Sequence, residues 1–154
     1  MTHMNSEELI NDYPSQFRIF KKSCALRLQI DKPVKKYGIG CIFLQAAPSN
    51  DGDGVNNGYA WDKKKISVKL GFNDISSIVY GLKTGKNVDL FHTYNDESKT
   101  IKFSPKTGGG FFINIEHLIN GEKVGSLSVP LSDEEVGSMF TMLNFSLPLI
   151  HNWI

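Results

Sequence analysis

A chain of 154 residues with 40% hydrophobic and 21% charged side chains has the material for one sizeable core, and its composition excludes disordered and collagen-like classes. No apolar run approaches the roughly 20 residues that a bilayer-crossing helix needs. The net charge of +1 is unevenly spread: residues 1–16 hold three acids and no Lys or Arg, residues 17–69 hold 11 basic and four acidic side chains, and residues 70–154 hold six basic and nine acidic ones. Such asymmetry suits a basic face for a polyanion on an otherwise neutral body.

The start, MTHMNSEELINDYPSQ, is polar and ends near Pro14, so residues 1–15 are expected to be a flexible tail and residues 16–154 a single domain. It is too hydrophilic for a secretory signal, which leads to the expectation of an intracellular protein, in a bacterial or phage-infected cytoplasm, or in an organelle if a presequence precedes it. From Gln16 to Ile30 the residues alternate, with Cys24, Leu26, Leu28 and Ile30 on one face and Lys21, Ser23, Arg27 and Gln29 on the other, which predicts one long half-buried strand. After a turn from Asp31 to Tyr37, GIGCIFLQAAPS predicts a second, more central strand. Cys24 and Cys41 lie inside these apolar segments, away from any CxxC or Cys/His cluster, and are expected to be core thiols.

SNDGDGVNNG predicts a flexible hairpin connection. Its DGDG lacks the further oxygen ligands and the Glu at the twelfth position of a calcium loop. Next, GYAWDKKKISVKL places Lys63, Lys65, Ser67 and Lys69 on one strand face and Ile66, Val68 and Leu70 on the other. Tyr59 and Trp61, two apart, are expected on a common face beside the lysine row. Asn73 or Asp74 is set to cap a helix over Asn73–Leu82, with Gly81 and Gly85 near its end.

The second half follows the same plan. NVDLFHTY, KTIKFSP, GFFINIEHLI and KVGSLSVPL are strand candidates separated by NDES, KTGGG and NGE turns, and Ser132 with Glu135 forms a capping box for a helix over Asp133–Leu147 that Pro148 is expected to end. An offset of 61 positions pairs Ile66 with Leu127, Val68 with Val129, Leu70 with Leu131 and Asp74 with Glu135. This internal repeat predicts two units of four strands and a helix.

In this order the segments resemble the Whirly family of single-stranded DNA-binding proteins along most of residues 17–153. FKKSCAL (Phe20–Leu26) is similar to the family's KGKAAL strand, and IFLQAAPS followed by YAW (Tyr59–Trp61) to its LEFAPA and YDW pair. DKKKISVKL is similar to its basic strand, DLFHTY to EFFHDP, GGGFFINI to its glycine-led seventh strand, VPLSDEE to VPVTKAE, and NFSLPLIHNW to its closing FNFVLPYLLGW. Lys22 and Ser23 replace the Gly and second Lys of KGKAAL, and Ala60 replaces the Asp of YDW.

The resemblance implies an α+β fold of two antiparallel four-stranded β-sheets packed against each other with two amphipathic helices. It also implies sequence-tolerant binding of single-stranded DNA in replication, recombination or repair, and a homotetramer held through Asn73–Leu82 and Asp133–Leu147. Kinetoplastid mitochondrial relatives of this architecture bind RNA, so an RNA-binding or annealing protein is the alternative. Gripping unpaired strands needs cations along the phosphates and flat rings under the bases, each stack contributing about 1–3 kcal/mol. The phosphate candidates are Lys21, Lys22, Lys63, Lys65 and Lys69, and the stacking candidates are Phe20, Tyr59 and Trp61.

Simpler roles stand beside these. Alternate lysines also make a solvated face, Tyr59 and Trp61 equally suit a core, Trp153 suits a structural plug, and His92 has no second His or Cys nearby. KTGGG lacks the order of a phosphate-cradling P-loop. No cofactor is expected and no metal set is apparent. A structural or ligand-binding protein, or an enzyme, is the third class, and the absence of a Ser/His/Asp set or paired carboxylates in sequence argues against the enzyme.

Overall fold

The computed structural model describes residues 15–33 and 38–151, so residues 1–14 of the expected tail, the end of the first turn and Trp153 lie outside the described residues, and Ser15 opens the first strand. The elements in order are β1 (Ser15–Phe20), β2 (Cys24–Asp31), β3 (Cys41–Pro48), α1 (Gly54–Asn57), β4 (Ile66–Leu70), α2 (Phe72–Thr84), β5 (Val88–Tyr94), β6 (Glu97–Pro105), β7 (Phe111–Ile119), β8 (Glu122–Leu131) and α3 (Asp133–Ile150). Strands β1 to β4 form one antiparallel sheet in chain order and β5 to β8 a second. The two-unit α+β architecture expected from the repeat is therefore present.

Alternation explains both sheets. Leu26, Leu28, Ile42, Leu44, Val68 and Leu70 of the first sheet point inward, as do Ile101, Phe103, Ile113, Ile115, Val129 and Leu131 of the second. One continuous apolar core joins them to Ile75, Ile78 and Leu82 of α2 and to Met139, Leu143 and Ile150 of α3. Each such side chain contributes about 1.5–3 kcal/mol by leaving water. Both thiols, Cys24 and Cys41, are free and buried, and burial pushes their pKa values up. Among the described residues no helix is long and apolar enough to cross a membrane.

Several local expectations are corrected. The long strand over 16–30 is two strands, because the chain bends at Lys21–Ser23, where the Lys21 N–H donates to the Cys24 carbonyl at 2.8 Å. The bend inverts the phase: a continuous strand would bury Arg18 and Phe20, whereas Ile19 is buried and Arg18 and Phe20 are exposed. The Gly/Asn/Asp-rich connection is not a simple hairpin loop but a 3-10 turn (Asn50–Gly52) followed by α1, whose first turn Asp53 caps through the Asn56 N–H. Strand β4 begins only at Ile66, since extending it upstream would place Lys64 on the inward face, where an unpaired charge is untenable. Pro148 sits inside α3 rather than ending it. Fully buried Ile150 holds the last turn in the core, and its carbonyl accepts the Gly40 N–H at 2.6 Å.

Helix α2 also starts earlier than predicted: Gly71 is the N-cap and the Asp74 carboxylate accepts its N–H at 3.2 Å. Gly85 ends the helix at φ 68°, the left-handed conformation that glycine adopts without strain. In α3 the capping box is complete, with the Ser132 hydroxyl accepting the Glu135 N–H at 3.2 Å and the Glu135 carboxylate accepting the Ser132 N–H at 2.9 Å.

The repeat governs more than the core. The offset that equates Ser67 with Ser128 also equates the two caps, Gly71 with Ser132 and Asp74 with Glu135. Following strand pairing outward from Ser67 and Ser128 makes Gln45 equivalent to Asn114, Arg27 to Lys102 and Phe20 to Phe91. Lys21 and His92, each next after its Phe, are therefore equivalent as well. Each capping carboxylate reaches the opposite repeat: Glu135 pairs with Lys21 at 2.6 Å and Asp74 with His92 at 3.0 Å. An ion pair and a histidine–carboxylate contact, placed reciprocally, thus clasp the halves together.

Candidate nucleic-acid interface

The outer face of the first sheet is built by the residues that alternate with the core. Cross-strand pairing sets Arg18 opposite Arg27, Arg27 opposite Gln45, and Gln45 opposite Ser67, giving a polar row perpendicular to the strands. Arg27 donates to Gln45 Oε1, and the Gln45 amide donates to the Ser67 hydroxyl at 3.2 Å. A second row runs Gln16, Gln29, Phe43 and Lys69. Arg18 donates to Gln16, and neither guanidinium is ion-paired to a carboxylate among the described residues. Burial, then the neighbouring Arg18, pushes the Arg27 pKa down; the two like charges face each other across β1 and β2 with no carboxylate bound to either among the described residues.

Segment 49–65 returns over one end of this face. Ser49 bridges to Tyr59, the Ala60 N–H donates to the Pro48 carbonyl at 2.9 Å, and the Tyr59 hydroxyl donates to the Lys21 carbonyl at 2.6 Å. The small side chains of Ala25 and Ala47 point outward beneath it and are fully buried. Phe20 stacks on Tyr59 with centroids 5.6 Å apart and planes 30° apart, yet remains 56% exposed. Trp61 lies over the Arg27 guanidinium at 4.2 Å.

The predicted residues divide among these features. Phe20 and Tyr59 come together at the β1–β2 bend, and Trp61 is adjacent through Arg27. Tyr59 and Trp61 do not share a strand face: Tyr59 makes a lone bridge and Trp61 opens a turn. Nor do the lysines form one row. Exposed Lys63 and Lys65, with Lys64, line a cleft of about 430 Å³ opposite His117, Gly125 and Ser126 of the second sheet. Lys69 lines a separate groove of about 260 Å³ between β4 and the β5–β6 hairpin, with His92, Tyr94, Glu97 and Lys99. Lys99 there donates to the Ser67 carbonyl at 2.7 Å. Lys22 is exposed, whereas Lys21 is held by Glu135.

Arg18, Arg27, Tyr94 and Lys99 are site residues that sequence reasoning did not single out. Arg27 was legible as an outward cation, but its place under Trp61 depends on a contact 34 positions away. The second sheet repeats part of the surface, with Phe91 exposed at the position of Phe20, Lys102 at that of Arg27, and Phe112 at that of Phe43 under Lys106 at 5.3 Å. Among the described residues no group of three His, Cys, Asp or Glu side chains is placed to hold a metal ion.

The sequence matches no protein-family model and no curated protein. Solved structures do match. WHY1 from Arabidopsis thaliana is 24% identical, with a TM-score of 0.79 over 92% of this chain and 87% of that one. The MRP1/MRP2 structure from Trypanosoma brucei is 13% identical, with a TM-score of 0.63 over 96% of each chain. A guide-RNA-binding protein complex solved with its guide RNA is 12% identical, with a TM-score of 0.64 over 90% of this chain and 92% of that one. With two clasped units of four antiparallel strands and a helix, this chain has the Whirly-like fold.

Proposed function

We propose that this protein binds single-stranded nucleic acid without reading its sequence, and that the outer face of the first sheet is where the strand lies. The observation that carries the reading is the pairing of two guanidiniums, Arg18 and Arg27, which have no carboxylate partner among the described residues, with an exposed aromatic stack, Phe20 on Tyr59, and with Trp61 beside them. Cations along a path and rings next to it are what an unpaired strand requires, and a duplex, whose bases already stack, cannot use the rings. Lys22, Lys63, Lys65 and Lys69 extend the positive path towards the two clefts, and Phe91 with Lys102 repeats its elements on the second sheet.

DNA is the first choice of strand, on the resemblance to the Whirly family, with a role in replication, recombination or repair. RNA is the second, favoured by the likeness to a complex that carries a guide RNA. Binding rather than catalysis is the proposed role, since the face offers cations and rings. The proposed assembly is a homotetramer through α2 and α3, supported by Phe145, which is 58% exposed on α3, and by the shallow groove along Gly137, Ser138, Thr141 and Met142. Light scattering after gel filtration reads that mass directly.

Fluorescence anisotropy with a labelled oligonucleotide of about 30 nucleotides, as DNA, as RNA and as duplex, tests the central reading at two salt concentrations. The expected result is tighter binding to single strands than to duplex, weakening with salt by about 0.7 log units per phosphate neutralised for each log unit of salt. Equal affinity for duplex, or none for any strand, would refute it.

A further inference from the structure

The two repeats differ most between their third and fourth strands. In the second, β7 turns into β8 through Asn120 and Gly121 alone; in the first, residues 49–65 intervene and return over the sheet. Phe91 accordingly has no ring stacked on it among the described residues, whereas its equivalent Phe20 is backed by Tyr59. Something must hold Tyr59 at that place and angle.

Two contacts do so. The Tyr59 hydroxyl is tied to the Lys21 carbonyl at 2.6 Å, and the ring lies directly against Gly54, where a Cβ would come within 2.2 Å of Tyr59 Cε1 and 2.3 Å of Cζ. Gly54 is buried and has no positive φ, so its backbone does not demand glycine; the ring does. Its N–H donates to the Lys22 carbonyl at 2.9 Å, which fixes α1 to the same bend that presents Phe20. The gap at Gly54 therefore determines where Tyr59 sits, and Tyr59 determines how Phe20 meets a base.

We propose that Gly54 is the positioning residue of the stacking platform, setting Tyr59 behind Phe20 so that a nucleobase meets a ring pair already in place; the proposal rests on the binding reading above. The Gly54→Ala variant should bind single-stranded DNA about fivefold or more weakly, within the range that a lost base stack spans. Its salt dependence should be unchanged, because no cation is removed. In a Phe20→Ala background the same substitution should have no further effect, since the ring that Tyr59 backs has gone.

The test is a titration of a single-stranded DNA oligonucleotide carrying one fluorescent aminopurine, with wild type, Gly54→Ala, Phe20→Ala and the double variant. Wild-type affinity for folded Gly54→Ala overturns the proposal, as does an equal further loss in the Phe20→Ala background, which would mark a general effect on the fold. Unchanged affinity for Phe20→Ala alone contradicts the binding face itself, and the proposal with it. Tyr59→Phe, which deletes the hydroxyl anchor without adding volume, serves if Gly54→Ala does not fold; it should weaken binding only when Phe20 is present, and a loss independent of Phe20 would refute the proposal.

Discussion

Replacing Glu135 by Gln should move stability and binding in opposite directions. Glu135 receives Lys21 Nζ at 2.6 Å and the Ser132 N–H at 2.9 Å. Glutamine retains an oxygen for the cap but no charge for the lysine. Both ion-pair partners are 27% exposed, so the lost pair costs about 0.5–1 kcal/mol, a fall in Tm of about 1–4 °C for a chain of this size.

The freed ammonium lies next to Phe20 at the edge of the proposed path and becomes available for one phosphate. The slope of log K against log salt for single-stranded DNA should steepen by about 0.7, with tighter binding at low salt. Burial raises the Glu135 pKa, but the hydrogen bonds from Lys21 and Ser132 outweigh it and leave the carboxyl below its usual value. A carboxylate lowered in this way stabilises the fold above its unfolded pKa, and that stability is lost as pH falls through the folded value. The Tm difference between wild type and Glu135→Gln should therefore be full at neutral pH and shrink below about pH 4. Thermal melts and anisotropy titrations measure the two effects. A lower Tm with an unchanged salt slope would show that Lys21 does not face the strand, and an unchanged Tm would show that the clasp contributes nothing.

Three further outcomes are expected. Arg27→Gln removes the cation under Trp61 and one member of the Arg18–Arg27 pair; binding should weaken with a salt slope shallower by about 0.7, and tryptophan emission should change in the free protein. Replacing Lys63 and Lys65 together by Gln should weaken binding to all strands alike while leaving stability within about 0.5 kcal/mol of wild type, because both are exposed in the segment before β4. Phe103→Ala, at a fully buried ring, should destabilise the fold by about 3–5 kcal/mol in urea titration and leave the salt slope of the remaining folded protein unchanged.

The sequence carried the architecture because the architecture is local and repeated. Ser132 and Glu135 announce a helix start by their spacing alone, Asn120–Gly121 announces a hairpin, and Val68, Leu70, Val129 and Leu131 alternate in step across the 61-residue offset. The site was less legible because its parts meet through long-range contacts. Nothing near Phe20 shows that Tyr59 backs it, and nothing near Arg27 shows that Trp61 covers it. Alternation also misled where it ran through the bend at Lys21–Ser23, where the phase inverts. The lysine row failed for a reason present in the sequence: Lys64, in phase with Ile66, is a charge that no inward strand position accepts. Pro148 was overruled by packing, since the last turn of α3 is held by burial of Ile150 rather than by an unbroken ladder.

Photo-crosslinking of iodouracil-substituted single-stranded DNA, followed by mass spectrometry of the attached peptides, tests most directly whether the strand lies on the first sheet. Adducts are expected at Phe20, Tyr59 and Trp61, with fewer as salt rises. Adducts confined to α2 and α3, or none on the peptides holding those three rings, would contradict that placement.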